Sequence, residues 1–69
     1  MSFLEDQISL LKNAIENGII SKDCSLIPEQ KKLIIDMIYN MSKFSGANVS
    51  KSQIGASVDK AFADELDID

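Results

Sequence analysis

The segment Pro28 to Gly46, PEQKKLIIDMIYNMSKFSG, constrains the fold of this chain more than any other. It is the longest apolar-rich stretch. Its terminal proline and glycine are favoured just inside the start and just past the end of an α-helix. We therefore predict a helix over 28–45. One broad face of that helix is expected to pack against the rest of the chain, and it consists of Leu33, Ile34, Met37, Ile38, Met41 and Phe44.

A first helix is predicted over about 2–17. Ser2 and Glu5 have the S-x-x-E spacing of a capping box, in which each side chain bonds the other residue's backbone N–H. Apolar residues follow at helical spacing, and Gly18 can adopt the positive φ that ends many helices. The connection that follows is too apolar for a solvated linker. We expect it to fold back over the core through Ile19, Ile20, Leu26 and Ile27.

A third helix is predicted over about 51–66. Ser50 and Gln53 repeat the capping-box spacing at its start. Its apolar seam consists of Ile54, Val58, Ala61, Phe62 and Leu66. No segment alternates in the way a half-buried strand does. The sequence thus predicts a single all-α domain of three helices, a helical hairpin followed by a third helix, over residues 1–69.

Ile35 and Tyr39 fall outside the predicted core face of the second helix, one turn apart. A second apolar stripe of this kind predicts a helix–helix interface with another copy or with a target protein, extended by Ile19 and Ile20. The alternative is that the connection 19–27 covers the stripe within the monomer. A core of this size rarely supplies more than about 3–5 kcal/mol, so we predict a homodimer through the central helix.

Composition narrows the classes of function. The chain has no histidine, one cysteine and three scattered glycines, so it lacks the usual general base, any intrachain disulfide and a phosphate-binding loop. We therefore predict no enzymatic activity, no metal and no cofactor. The single Cys24 is typical of a reducing compartment. A cytoplasmic protein is expected, since no secretory signal or membrane span is evident.

The net charge of −4 disfavours nucleic acid and anionic membranes as partners. Acidic residues concentrate in the tail 64–69, at Asp64, Glu65, Asp67 and Asp69. We expect these four side chains to be solvated and to steer the protein towards a partner with a basic surface. The predicted function is that of a small regulator that binds and modulates another protein, as an adaptor or inhibitor.

A DNA-binding function is the alternative. Residues 46–58, GANVSKSQIGASV, resemble the turn and second helix of bacterial helix-turn-helix regulators, with Val49, Ser50 and Ile54 at the structural positions. That resemblance implies a groove-facing surface formed by Lys51, Ser52 and Gln53. Phe44 departs from the pattern, because such motifs usually carry a small residue there.

A longer stretch, from Glu29 to Val58, resembles the small enterobacterial biofilm-regulator and two-component connector proteins. The matching positions are Glu29, Gln30, Gly46, Asn48, Ser50 and Ile54. The C-terminal helix of that family, with its Arg and Leu-Glu pattern, is replaced here by DELDID. The resemblance implies a dimeric helical regulator that acts through protein contacts.

Overall fold

A computed structural model describes residues 2–66, apart from the side chain of Leu66. These residues form three α-helices, α1 (Phe3–Glu16), α2 (Pro28–Ser45) and α3 (Lys51–Leu66), and a 3-10 helix (Lys22–Leu26) between the first two. The prediction of an all-α domain of three helices is confirmed. Asp67 and Asp69, and the predicted place of Leu66 in the seam of α3, lie outside the described residues.

The helix ends follow the predicted local chemistry. Ser2 Oγ accepts the backbone N–H of Glu5 at 3.1 Å and so begins α1. After α1 the chain turns at Gly18, whose φ is +74°. There the N–H of Ile19 donates to the carbonyl of Ala14 at 2.9 Å, and the N–H of Gly18 to that of Ile15 at 3.2 Å. This pair of bonds is the Schellman arrangement, which satisfies the last carbonyls of a helix.

The turn between α2 and α3 is equally local in origin. Gly46 ends α2 with a φ of +75°, and the next N–H, of Ala47, donates to the carbonyl of Ser42 at 2.9 Å. At the start of α3 both capping-box bonds form. Ser50 N–H donates to Gln53 Oε1 at 2.9 Å, and Gln53 N–H donates to Ser50 Oγ at 3.1 Å. The start and end of α1, the end of α2 and the start of α3 therefore have hydrogen-bond partners in the neighbouring sequence, whereas α2 begins at Pro28 without a side-chain cap.

The core is centred on α3, whereas the sequence predicted α2 as the helix against which the others pack. The buried apolar residues are Leu11 and Ile15 of α1, Ile38 of α2, and Ile54, Val58, Ala61 and Phe62 of α3. The four α3 side chains are at most 1% exposed. Ile35 of α2 packs beside Gly55 of α3, and Ala61 adds little bulk to the seam.

Within residues 2–66, three ion pairs join α3 to its neighbours. Lys12 Nζ lies 2.9 Å from Asp64 Oδ2, which links α1 to α3. Lys31 pairs with Asp59, and Lys51 Nζ lies 3.3 Å from Asp36 Oδ1, so two pairs link α2 to α3. Such partly exposed pairs contribute little to stability, but they fix which faces of the helices meet.

The connection between α1 and α2 covers the core only in part. Ile20 and Cys24 pack against it, as expected for a segment folded back over the core. Ile19 and Leu26, however, are 78% and 76% exposed, so the prediction is wrong for these two residues. Ile27, at 41% exposed, is not covered either. The 3-10 helix tightens the connection and turns part of its apolar surface towards solvent.

Replacing Gly55 by alanine is expected to stabilise the protein by about 0.5–1 kcal/mol. Gly55 lies within α3, where glycine is a poor helix former. An added Cβ would lie 3.6 Å from Ile35 Cδ1, an ordinary van der Waals distance. Urea unfolding followed by circular dichroism measures the change. A loss of stability in Gly55→Ala would show that α2 and α3 are too close to admit a methyl group.

Candidate functional site

The apolar face that α2 presents to solvent is not the one that the sequence predicted. Leu33, Met37, Met41 and Phe44 are 62%, 62%, 43% and 95% exposed. We call these four residues the α2 strip. Of the predicted core face, Ile38 is buried and Ile34 packs partly buried against the core. The prediction of a buried broad face is therefore wrong for the four residues of the strip.

Ile35 and Tyr39, the predicted interface residues, instead lie on the inner side of α2. Both are partly buried against the core, and Ile35 Cδ1 approaches Gly55 of α3. The ammonium groups of Lys43 and Lys51 lie 4.8 and 5.1 Å from the centroid of the Tyr39 ring. Ile35 and Tyr39 are thus covered within the monomer, mainly by α3. This corrects the prediction that these two residues form the exposed apolar surface of α2.

A groove of about 500 Å³ lies beside the N-terminal half of the α2 strip. Its lining consists of Ile19, Ile20, Ser21, Cys24, Gln30, Leu33, Ile34 and Met37, and we call it the α2 groove. The Cys24 thiol donates to Gln30 Oε1 at 2.9 Å across it. Of the two predicted loop contributors to an interface, Ile19 is exposed at the groove while Ile20 packs against the core.

Together the α2 strip and the α2 groove form an apolar surface that residues 2–66 leave uncovered. Exposed apolar patches of more than a few hundred Å² mark interaction sites on soluble proteins. Leu33 and Met37 belong to both features, so the surface runs from Ile19 along α2 towards Phe44. Sequence reasoning missed the strip, although all four residues were recognised as one apolar face.

The acidic tail is less free than the sequence predicted. Asp64 is bound to Lys12 by a hydrogen-bonded ion pair, which holds the pKa of its carboxyl below the ordinary value of 3.8. Glu65 is 6% exposed, so the prediction that it is a solvated steering charge is wrong. The other two predicted steering residues, Asp67 and Asp69, fall outside the described residues.

Burial is the main reason why the pKa of Glu65 is raised above its ordinary value of 4.5. The nearby Glu16 carboxyl raises the pKa of Glu65 further, while Lys12 and Lys22 oppose the shift. Two carboxyl groups at the ends of α1 and α3 therefore meet at a site where a proton is bound more tightly in the folded state than in the unfolded one.

Lowering the pH from 7 towards about 4.5 is expected to stabilise the fold through Glu65. Its folded pKa is raised, so its contribution is fully present below the unfolded value of 4.5 and is lost as pH rises through the folded value. Asp64 acts in the opposite sense, because its ion pair is lost as pH falls below 3.8. Unfolding free energies measured against pH should therefore pass through a maximum on the acidic side.

Glu65→Gln provides the matched variant for this pH dependence. It keeps the shape of the side chain and removes the charge, so we expect it to be more stable than the native protein at pH 7. The rise in stability between pH 7 and about 4.5 should become shallower. A variant that is less stable at pH 7, with an unchanged slope, would contradict the assignment.

The residues predicted to contact DNA are exposed, but two of them are already engaged. The Lys51 ammonium lies beside Asp36 and over Tyr39, and the Gln53 side chain caps the N–H of Ser50. Ser52 is exposed at the first turn of α3. Helix-turn-helix motifs usually carry a small residue at the position of Phe44, where the two helices cross. Here the Phe44 side chain is 95% exposed, so it does not hinder the crossing of α2 and α3.

The rest of the outer face of α3 is unsuited to a phosphate backbone. It carries Asp59 and Asp64 against Lys60, and the helix contributes most of its apolar residues to the core. Surfaces that bind DNA carry an excess of cations, because neutralising the phosphate charges supplies much of the binding free energy. The geometry therefore favours the apolar surface of α2 over α3 as the functional site.

Within residues 2–66 no group of three or more histidine, cysteine, aspartate or glutamate side chains is placed to hold a metal ion. Over the same residues, no helix combines the length and apolar character that crossing a membrane requires. Comparisons with family models, curated proteins and solved structures find no match to this chain. The resemblance to the biofilm-regulator and connector proteins therefore stays a prediction.

Proposed function

We propose that this protein is a small non-enzymatic regulator that binds and modulates another protein through the apolar surface of α2. The observation that carries the proposal is the α2 strip, four large apolar side chains on one helix face with exposures of 43–95%. Helix faces of this kind dock against apolar partners through anchors at helical spacing. Phe44 and the three aliphatic residues supply such anchors.

The chemistry of the surface indicates the mode of action. Methionine is unbranched and polarisable, so Met37 and Met41 can adapt to the shape of a partner without a fixed geometry. The net charge of −4 favours a protein with a basic surface as the target. Such a regulator acts as an adaptor or an inhibitor by occupying the target's surface. The lone Cys24 is in keeping with action in the cytoplasm.

Site-specific photo-cross-linking in the native host tests this function. A photoreactive residue at position 41 of the α2 strip should give a discrete heavier adduct with another protein. The same residue at Asn13, an exposed position on α1, serves as the matched control and should give none. Adducts that form equally from both positions, or no adduct with another protein from position 41, would contradict the proposal.

A further inference from the structure

We propose that a second copy of the chain covers the α2 strip, with the two α2 helices packed antiparallel about a two-fold axis beside Met37. The inference rests on the proposed function in that both take the α2 strip to be a protein-binding face. It adds which molecule covers the strip in the absence of a target protein, and how the two α2 helices are arranged. A target protein would then compete with the second copy for the same residues.

A projecting side chain on α2 and a shallow, open groove beside the same helix are complementary in shape. Phe44 is 95% exposed near the C-terminal end, while the α2 groove lies beside Gln30, Leu33 and Met37. Gln30 and Phe44 are separated by about 21 Å along the helix at 1.5 Å per residue. The side chain therefore cannot reach the groove of its own helix.

An antiparallel pair brings the two features together. When the helices cross at Met37, residues equally far before and after it face each other. Gln30 then faces Phe44 of the partner subunit, whose ring enters the α2 groove, and Leu33 faces Met41 of the partner subunit. The two-fold axis repeats both contacts, as an isologous interface requires. A parallel pair would set each Phe44 beside its own copy and leave both grooves unfilled.

Charge at the edge of the strip favours the same orientation. At about 100° per residue, one edge of the strip carries Glu29 and Lys43 near opposite ends of α2, and between them Asp36, whose charge is paired with Lys51. Glu29 and Lys43 are exposed. In an antiparallel helix pair like edges face each other, so Glu29 lies near Lys43 of the partner subunit at both ends. A parallel pair would place equal charges at the same level along the helices.

The size of the chain supplies the driving force. Seven apolar residues are buried in the described part of the monomer, whereas the strip leaves four large ones largely in water. Small domains commonly supplement such a core by association. Homodimer interfaces are more apolar than ordinary surface, as this one would be.

Disulfide trapping from single cysteines tests the arrangement. In a Cys24→Ser background, Met37→Cys places a thiol at the proposed two-fold axis. Gln30→Cys places a thiol at the α2 groove, far from the axis. Oxidation at micromolar protein should convert Met37→Cys to a covalent dimer rapidly and leave Gln30→Cys unlinked. Circular dichroism confirms that both variants are folded, and light scattering gives their mass before oxidation.

Two other results would overturn the inference. Rapid linkage of Gln30→Cys indicates a parallel pair, and a monomeric mass with no linkage of either variant excludes the dimer. Phe44→Ala adds a second measurement, since it should raise the dimer dissociation constant at least tenfold while the surface control Asn13→Ala leaves it unchanged.

Failure of the dimer remains separate from failure of the proposed function. A monomeric protein that still gives a photo-adduct with another protein from position 41 keeps the regulatory function and loses the dimer. A dimer whose position-41 adducts contain only this chain keeps the dimer and loses the regulatory function.

Discussion

Phe62→Ala is expected to abolish folding of the protein at room temperature. Phe62 is 1% exposed and belongs to the core cluster contributed by α1, α2 and α3. Truncating a buried phenylalanine costs about 3–5 kcal/mol, which matches the roughly 3–5 kcal/mol that a core of this size supplies. The far-ultraviolet circular dichroism of the purified variant should show most of the helical signal lost.

Phe44→Ala is the matched control for this substitution. It removes the same side chain from a position that is 95% exposed, so the helical signal of the folded chain should be retained. If Phe62→Ala unfolds cooperatively with a loss below about 1 kcal/mol, the packing of α3 at the centre of the core is wrong.

Two pairs of lysine substitutions on α2 should have opposite consequences. Ile35→Lys with Tyr39→Lys puts two charges on the inner side of α2, against the core and close to Lys43 and Lys51. Charges introduced at packed positions cost about 4 kcal/mol or more, so this variant should be unfolded. Met37→Lys with Phe44→Lys changes exposed positions only and should keep its helicity.

The second pair is expected to lose self-association while its fold persists. The two lysines at position 37 would meet at the proposed two-fold axis, and both aromatic contacts with the grooves would be gone. Circular dichroism and light scattering on the same samples separate the two effects. The opposite result, a folded but monomeric double variant Ile35→Lys with Tyr39→Lys, would support Ile35 and Tyr39 as the interface that the sequence predicted.

Much of the fold could be predicted because its determinants are local. Ser2, Gly18, Gly46 and Ser50 fix helix ends through hydrogen bonds to residues a few positions away, and Pro28 begins α2 through the fixed φ of its ring. Helical spacing also identified the seam of α3 from Ile54 to Phe62, which is buried. None of these features depends on how the helices are arranged in space.

The orientation of α2 could not be predicted in the same way, because apolar residues occupy most of its circumference. Periodicity reports that Leu33, Met37 and Met41 share a face with Ile38, but not which edge of that face meets α3. In the folded protein Ile35 lies beside Gly55 of α3, a contact between helices that periodicity does not report. The ion pairs of Lys31 with Asp59 and of Lys51 with Asp36 join α2 to α3 in the same orientation.

The candidate site shows the same division between local and long-range information. The sequence indicated that α2 has more apolar surface than a small monomer needs, and it included Ile19, which is exposed. It assigned the surplus to Ile35 and Tyr39 because the opposite face was taken as core. Glu65 was misplaced for a related reason, since the proximity of Glu16 arises from the packing of α1 on α3.

Sedimentation equilibrium of the native protein beside the double variant Met37→Lys with Phe44→Lys tests the central claim, that α2 turns the strip of Leu33, Met37, Met41 and Phe44 outwards and that a second copy of the chain covers it. We predict a dimer of about twice the 7.6 kDa chain mass for the native protein and a folded monomer for the variant. A native protein that stays monomeric at high concentration, or a variant that remains dimeric, would contradict the account.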